Sequence, residues 1–291
     1  MFEIPSLPAD RRLSTADLYA IGLSERGIAR LVRDVRLVRV RVGSYARADS
    51  HPHALQALRV GGRLACVSEL ARRGVFVHGG AGDLMCERAR VHIQLELNAS
   101  RLGLRTDNRS ALRLHWVTLR RGVHPRSASV DLFDALVQSA GCQSPRAFIA
   151  SVDSALHLGL LHADDVDAVF AALPRRFRRL RGLVDGRAES GSETLVRLML
   201  RALGHRAELQ VVIRGVGRVD LVVDGWLVVE CDSKAFHSSW DQQREDRRRD
   251  QALAALGYVV YRPIAEDILY HPDIVVAALK GLLALPMRRR A

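Results

Sequence analysis

The sequence predicts an α/β protein with more than one domain. Its 291 residues are about twice the commonest domain size. Segments with helical periodicity alternate with segments of strand-like alternation along the whole chain. Its 48% hydrophobic and 26% charged residues exclude a disordered or fibrous chain. We therefore divide the chain into an N-terminal segment 1–49, a middle region 50–189 and a C-terminal domain 190–291.

Residues 1–49 have the layout of a winged helix-turn-helix. Ser14 and Ser24 are predicted to cap two short helices, and residues 37–47 alternate apolar and basic side chains like a hairpin. Such a domain places a helix and a basic hairpin on DNA. A small helical interaction domain with a solvated basic ribbon fits the pattern equally well. On the DNA-binding interpretation, the candidate contacts are Arg26, Arg30, Arg39 and Arg41.

The middle region is predicted to be α+β. Residues 53–75 read as two helices around Gly61, and residues 89–97 and 111–119 alternate like strands. From residue 129 onwards helical periodicity dominates. Residues 175–181 then carry five arginines, which fit either a clamp on a phosphate backbone or the solvated face of a helix.

Charge indicates a polyanionic partner. The net charge is +12, and Lys234 and Lys280 are the only lysines. Nucleic acid, most simply DNA, is the expected partner. A membrane is not expected, since no basic amphipathic helix with an aromatic face and no long apolar stretch is present. The first residues lack a signal-peptide pattern, so we expect a cytoplasmic protein.

The four cysteines predict neither a zinc site nor a disulfide framework. Cys66, Cys86, Cys142 and Cys231 lie far apart, with no CxxC pair and no clustered histidine. Reduced, mostly buried thiols are the expectation for such a chain.

The C-terminal domain is predicted as helix, three strands, helix, strand and helix. This order favours a mixed sheet with helices on its faces. A helix opens at Ser192 and ends at Gly204, and Asp224-Gly225 is the strongest hairpin signal in the chain. A polar helix at 240–256 precedes the last strand, at 258–262.

Acidic residues lie on the two strands of this hairpin. A two-residue turn would place residue 223 opposite 226, and would bring Asp220 and Glu230 to within one residue of facing each other. Buried acids are costly unless they are paired. Mg²⁺, which takes carboxylate oxygens, would remove that cost. Pairing with arginines such as Arg218 or Arg247 is the alternative.

Further residues with suitable chemistry lie nearby in the sequence. Glu193 would add a third carboxylate, and Lys234 and His237 follow the second hairpin strand. Phosphodiester hydrolysis needs a metal, a base for the water and a cation near the reacting oxygens. Together these residues favour a nuclease.

On these residues the domain resembles a known superfamily. Glu193, residues 218–232, His237 and residues 246–262 follow a pattern close to E…RVDL…VExDG…H…DxxRxxxLxxxGWxVxR. That pattern resembles the PD-(D/E)xK nucleases, in a group similar to the very-short-patch mismatch-repair endonucleases. The resemblance implies a restriction-endonuclease-like fold, the helix glutamate Glu193, the general base His237 and a Mg²⁺ or Mn²⁺ site. The metal ligands it implies are Asp220, Glu230, the Cys231 carbonyl and Asp232.

The chain departs from the superfamily pattern at three positions. Asp232 stands where the general motif has its lysine, so Lys234 is a candidate substitute from a shifted position. Ser233 replaces a glycine of the group, and Tyr258 replaces a tryptophan. Residues 13–47 in turn resemble the winged-helix domain of abortive-infection antitoxins, which occurs fused to this nuclease-like domain.

The sequence thus predicts a metal-dependent DNA endonuclease acting in DNA repair or phage defence. Arginines of the polar helix would contact the DNA backbone: Arg247, Arg248 and Arg249. The alternative is an antitoxin-like transcriptional regulator in which the nuclease fold is a non-catalytic scaffold. A structural partner that needs another subunit for activity is a third hypothesis, and the sequence is compatible with a homodimer.

Overall fold

The computed structural model describes residues 7, 10–78, 90–100, 102–103, 110–231 and 240–285. Helices and three β-sheets make up these residues, which confirms the predicted multi-domain α/β class. Contacts divide the chain into two compact units: Met1–Ser144 with Asp164–Arg178, and Pro145–Ala163 with Arg179–Ala291. The three-domain division stays a prediction. Across the described ranges, no helix combines the length and apolar character needed to span a membrane.

The first unit begins with two helices and a small antiparallel sheet. Its elements are β1 (Leu13–Ser14), α1 (Thr15–Ala20), α2 (Glu25–Arg33), β2 (Leu37–Arg41) and β3 (Ser44–Arg47). The strands lie in the order β1-β3-β2. Ser14 and Ser24 cap the helices as predicted, because each hydroxyl accepts a hydrogen bond from the backbone N–H three residues on. Apolar side chains from both helices and β2 form the core: Leu18, Ile28, Leu31 and Leu37.

A second sheet of three strands follows in the same unit. The elements are α3 (Pro52–Val60), β4 (Arg63–Leu64), α4 (Cys66–Arg72), β5 (Val91–Gln94), β6 (Leu112–His115) and α5 (Leu132–Ser139). In the order β4-β5-β6, β5 is antiparallel to β4 and parallel to β6. The two helices predicted in residues 53–75 are present, but a short strand separates them. That strand forms because Arg63 and Leu64 pair with β5.

This sheet overturns the expectation that the cysteines have no clustered histidine. Cys66 and Cys142 lie beside His92 and His115. Parallel pairing of β5 and β6 brings the two histidines together, and α4, which begins with Cys66, packs against α5. The cluster forms from residues far apart in the chain, so no local sequence motif predicts it.

Three helices and a 3-10 turn follow α5 in the chain. They are α6 (Pro145–His157), α7 (Ala163–Ala172), α8 (Arg175–Arg178) and the 3-10 turn Arg179–Leu183. The arginine-rich stretch therefore forms two short helical turns. Arg178 donates hydrogen bonds to the carbonyls of Leu173 and Ala171, so this arginine closes the end of α7.

The second unit contains a mixed four-stranded sheet. Its elements after α6 are α9 (Gly191–Ala202), β7 (Ala207–Ile213), β8 (Gly217–Val223), β9 (Leu227–Val229), α10 (Trp240–Ala255), β10 (Val259–Tyr261), α11 (Ala265–Tyr270) and α12 (Pro272–Leu283). The order is β10-β9-β8-β7, and β9 and β10 form its parallel pair. The predicted element order is confirmed, with α11 as an additional short helix.

The hairpin between β8 and β9 has a longer turn than the sequence predicted. Val223 pairs with Leu227, not with residue 226, so the loop holds three residues. Asp224 and Gly225 both have left-handed φ angles, of 49° and 76°, and the next amide donates back to Val223 at 3.1 Å. Leu221 pairs with Val229, and one further step along this register places Asp220 directly opposite Glu230.

Candidate functional site

Three of the predicted site acids lie close together around the β8–β9 hairpin. Glu193 is in the first turn of α9, Asp220 is in β8, and Glu230 directly follows β9. Asp232, Lys234 and His237 fall outside the described residues.

Glu193 is buried at the start of its helix. The Ser190 hydroxyl caps the helix by accepting a hydrogen bond from the Glu193 amide at 3.2 Å. The Glu193 carboxylate accepts from the Glu189 amide at 2.9 Å and from Gln210 Nε2 at 2.8 Å, both on Oε2. These two contacts and a hydrogen bond with the Ser190 side chain fix the Glu193 carboxylate.

Gln210 is a site residue that the sequence did not reveal. It lies on β7 between Leu209 and Val211, which pair with Leu221 and Val219, so it is beside Asp220 across the sheet. Its φ is 55°, a left-handed value that is rare for a residue other than glycine. Such strain persists where the surrounding structure fixes it, often at functional sites. No pattern in the sequence marks a strand residue with this backbone angle.

Asp220 is held by the backbone of the neighbouring strand. Its Oδ2 accepts a hydrogen bond from the Cys231 amide at 2.8 Å. The Cys231 thiol is buried, and burial raises its pKa well above the ordinary range, with the Asp220 charge adding to the effect. This thiol is therefore neutral and inert.

Glu230 is neutralised by two arginines. Its Oε1 lies 2.9 Å from Arg249 Nη2, and its Oε2 lies 3.1 Å from Arg262 Nη2. Arginine pairing was the sequence alternative to a metal, but the arginines named there differ from these: Arg218 pairs with Glu189 instead, at 2.8 Å. Oε1 is buried and receives no hydrogen bond, although Arg249 is close.

The pKa values of all three acids are raised. Burial is the main cause of the raised pKa of Glu193, Asp220 and Glu230. The charge of Asp220 raises the pKa of Glu193 and of Glu230 further. Desolvated acids that repel one another cost stability unless a cation offsets them.

Two of these acids have an oxygen that accepts no hydrogen bond from the described part of the chain. The atoms are Asp220 Oδ1 and Glu230 Oε1, and the Glu230 oxygen lies in the ion pair with Arg249. Carboxylate oxygens are the ligands that Mg²⁺ prefers. Among the described residues, however, the three acids do not form a group whose ligand atoms all lie within 4.8 Å of one another. In this arrangement Arg249 and Arg262 neutralise Glu230.

The predicted DNA contacts of the N-terminal segment differ in exposure. Arg26 and Arg30 on α2 and Arg39 on β2 are exposed. Arg41 is half-buried and donates a hydrogen bond to the Val60 carbonyl at 3.1 Å. Arg41 thus has a structural role within the first unit.

The predicted DNA contacts on α10 also divide into two kinds. Arg247 and Arg248 are exposed, and the Arg247 guanidinium lies 5.7 Å from the centre of the Trp240 ring. Arg249 points inward, where it contacts Glu230 and donates to the Arg218 carbonyl.

Comparison with known families finds a match in the C-terminal part of the chain. Residues 193–283 match the family model REase_MTES_1575, a restriction-endonuclease-like family. The match begins at Glu193, includes Asp220 and Glu230, and ends with α12. No curated protein and no solved structure matches the chain. The C-terminal part of the protein is therefore nuclease-like, and residues 1–192 lie outside the match.

Proposed function

We propose that this protein is a metal-dependent DNA endonuclease whose catalytic residues lie in the second unit. One observation carries the proposal. Within the segment that matches a restriction-endonuclease-like family, one buried and two half-buried acids lie on adjacent elements, and Asp220 Oδ1 accepts no hydrogen bond from the described chain. Partly desolvated carboxylates on adjacent elements are a suitable donor set for a hard divalent cation.

Asp220 and Glu230 would hold the cation, with Glu193 as a third ligand. The Cys231 amide fixes Oδ2 of Asp220, so that Oδ1 is available to a cation, and Gln210 positions the Glu193 carboxylate. Bound Mg²⁺ or Mn²⁺ supplies charge neutralisation at the scissile phosphate and a more acidic water.

The remaining roles rest on the superfamily resemblance. Asp232 and the Cys231 carbonyl would complete the metal site. His237 would accept the proton of the attacking water, and Lys234 would stabilise the negative charge that develops on the phosphate.

Arg249 and Arg262 would act as stand-ins for the cation. Their guanidinium nitrogens lie 2.9 and 3.1 Å from the Glu230 carboxylate oxygens, where a bound cation would otherwise neutralise this acid. When the carboxylate turns to a cation, Arg262 keeps its ion pair with Asp250 and Arg249 keeps its hydrogen bond to the Arg218 carbonyl. The donors that Glu230 releases then become available to phosphate oxygens. Arg249 would then make the DNA backbone contact that the sequence predicts.

The N-terminal segment would deliver the enzyme to duplex DNA. The support is its two capped helices, its basic hairpin and the exposed arginines Arg26, Arg30 and Arg39. Basic side chains on a helix and a hairpin bind the phosphate backbone and give salt-dependent affinity.

Nicking of supercoiled plasmid by the full chain tests the proposal. Activity should require Mg²⁺ or Mn²⁺, and Asp220→Ala should lower the rate about a thousandfold while leaving DNA affinity unchanged. Glu208→Ala is the matched control, because Glu208 is an exposed acid on the adjacent strand β7. Equal cleavage by Asp220→Ala and the wild type would contradict the proposed role of Asp220.

An antitoxin-like DNA-binding regulator is the second candidate. The observation that favours it is the double arginine pairing of Glu230, which neutralises the acid without a metal. Asp232, at the position of the superfamily lysine, favours it too. The regulator hypothesis predicts that the full chain binds the DNA upstream of its own gene and cleaves no substrate with any divalent metal.

A further inference from the structure

Four side chains with metal-binding atoms cluster in the first unit, in a part of the chain that the nuclease proposal does not use. They are Cys66, His92, His115 and Cys142, and their candidate ligand atoms all lie within 4.8 Å of one another. Within the described ranges, no other group of three or more Cys, His, Asp or Glu side chains meets this spacing.

Each member of the cluster comes from a different element. Cys66 is the first residue of α4, His92 is in β5, His115 is in β6, and Cys142 follows α5. In the parallel pair of strands, His92 lies opposite residue 113 and His115 opposite residue 94, so both histidines are on the same face of the sheet. The pairing of the strands and the packing of the helices thus place four donors at one point.

The spacing suits one tetrahedral ion. Zinc binds thiolate sulfur at about 2.3 Å and imidazole nitrogen at about 2.0 Å, which puts neighbouring ligand atoms roughly 3.3–3.8 Å apart. His92 Nδ1 and His115 Nε2 are 3.1 Å apart. A two-iron cluster would hold the thiols and the imidazoles on different metal atoms, so the four donors would not converge on one point.

The four side chains are shielded from solvent to different degrees. Cys66 and His92 are buried, and His115 and Cys142 are half-buried. Cys66 also has a φ of 53°, a left-handed value at the ligand position itself. Neither Cys66 nor Cys142 is in a disulfide.

We propose that Cys66, His92, His115 and Cys142 bind one Zn²⁺ ion as a structural Cys₂His₂ site. All four positions come from the protein, and a zinc with four protein ligands has no open position for substrate or water. The ion joins α4, β5, β6 and the segment after α5 into one rigid body. This site is independent of the proposed nuclease function.

Metal analysis of the purified full chain tests the proposal. Protein made in zinc-supplemented medium and dialysed against metal-free buffer should retain about one zinc per chain. Cys142→Ser and His92→Asn should lose most of that zinc. His162→Asn is the matched control, because His162 is exposed and outside the cluster, and it should keep full zinc occupancy. Removal of zinc by a chelator should lower the Tm, and zinc alone should restore it.

Cobalt substitution distinguishes the ligands even where a variant is less stable. The Co²⁺ form of the wild type should show the visible bands of a tetrahedral site and the near-ultraviolet charge transfer of two thiolates. Cys142→Ser should keep about half of the charge-transfer intensity per bound cobalt, because one thiolate remains. Wild-type protein that retains no zinc, binds no cobalt, contains iron instead or forms a Cys66–Cys142 disulfide would overturn the proposal. So would Cys142→Ser with unchanged zinc content.

Discussion

Asp153 and the acids near the β8–β9 hairpin, all in the second unit, differ in how many hydrogen bonds their oxygens accept. Asp153, on α6, accepts hydrogen bonds on both oxygens: from the Asp185 amide at 2.7 Å, from the Thr194 hydroxyl at 2.9 Å and from Arg197 Nη2 at 2.8 Å. Its partners lie on α9 and in the segment before it. Asp153 thus ties α6 to the rest of its unit.

The acids near the β8–β9 hairpin accept fewer hydrogen bonds than Asp153 does. Asp220 accepts one hydrogen bond from the described chain, and Glu230 is within ion-pair distance of two arginines while its Oε1 receives none. Burial raises the pKa of the acids in both groups, to about 6 for Asp153. A buried acid with a raised pKa is therefore not in itself a sign of function in this protein. Hydrogen bonding distinguishes the two: both oxygens of Asp153 accept hydrogen bonds, whereas Asp220 Oδ1 and Glu230 Oε1 accept none from the described chain.

The largest expected effect is a loss of stability on removal of Asp153, which tests its structural role. Asp153→Ala removes the carboxylate that pairs with the buried Arg197 and that accepts from the Thr194 hydroxyl and the Asp185 amide. Arg197 keeps the Leu183 carbonyl but loses its counter-charge, and breaking such a buried pair costs about 3 kcal/mol or more. Urea unfolding at pH 7 measures the loss. Asp167→Ala, an exposed acid on α7, is a control for removal of a helical aspartate. A loss as small as that of the control would show that the three hydrogen bonds add little to stability.

The second effect is a pH dependence of stability. The folded-state pKa of Asp153 is raised to about 6 by burial, whereas an unfolded aspartate titrates near 3.9. Between these values the folded state binds more protons than the unfolded state, so this acid's contribution to stability falls as pH rises from about 4 to 6. The wild type should lose on the order of 2 kcal/mol relative to Asp153→Asn across that window. Unfolding curves of both proteins at pH 4.5, 5.5 and 7 measure the difference, and parallel curves would contradict the raised pKa.

Local sequence signals predicted much of the fold. Ser14 and Ser24 cap their helices because hydroxyl side chains accept bonds from the first backbone amides, a preference visible in the sequence. Asp224-Gly225 marked the hairpin, since both residues tolerate left-handed φ angles. The turn was one residue longer than predicted, because the third loop residue, Trp226, carries no turn signal.

The chemistry of the sites was predicted unevenly for the same physical reason. Asp220 and Glu230 belong to one hairpin, so strand alternation and the turn signal were enough to predict that they lie close together. Arg262, which pairs with Glu230, directly follows β10. Only the parallel pairing of β9 and β10 brings it next to Glu230. The Cys/His cluster combines four separate elements, and a local spacing rule cannot detect such a site.

The smallest expected effect is the change in stability on replacement of Asp220. We expect it to have the opposite sign to the loss of stability expected for Asp153→Ala. Asp220→Asn removes a charge that burial and the neighbouring acids Glu189, Glu193 and Glu230 all disfavour, while the Asn side-chain oxygen still accepts from the Cys231 amide. Attraction to Arg249 and Arg218 is lost, which offsets part of the gain.

The metal-free Asp220→Asn protein should therefore be as stable as the wild type or more stable by about 1 kcal/mol, as is common when a functional group is removed from a strained site. Urea unfolding in EDTA measures this difference, with Asp153→Asn treated in parallel. A loss of stability similar to that of Asp153→Ala would place Asp220 among the structural acids and would favour the non-catalytic scaffold. Unchanged or increased stability together with lost cleavage would instead separate the two groups of acids: one stabilises the unit, and the other carries out its chemistry.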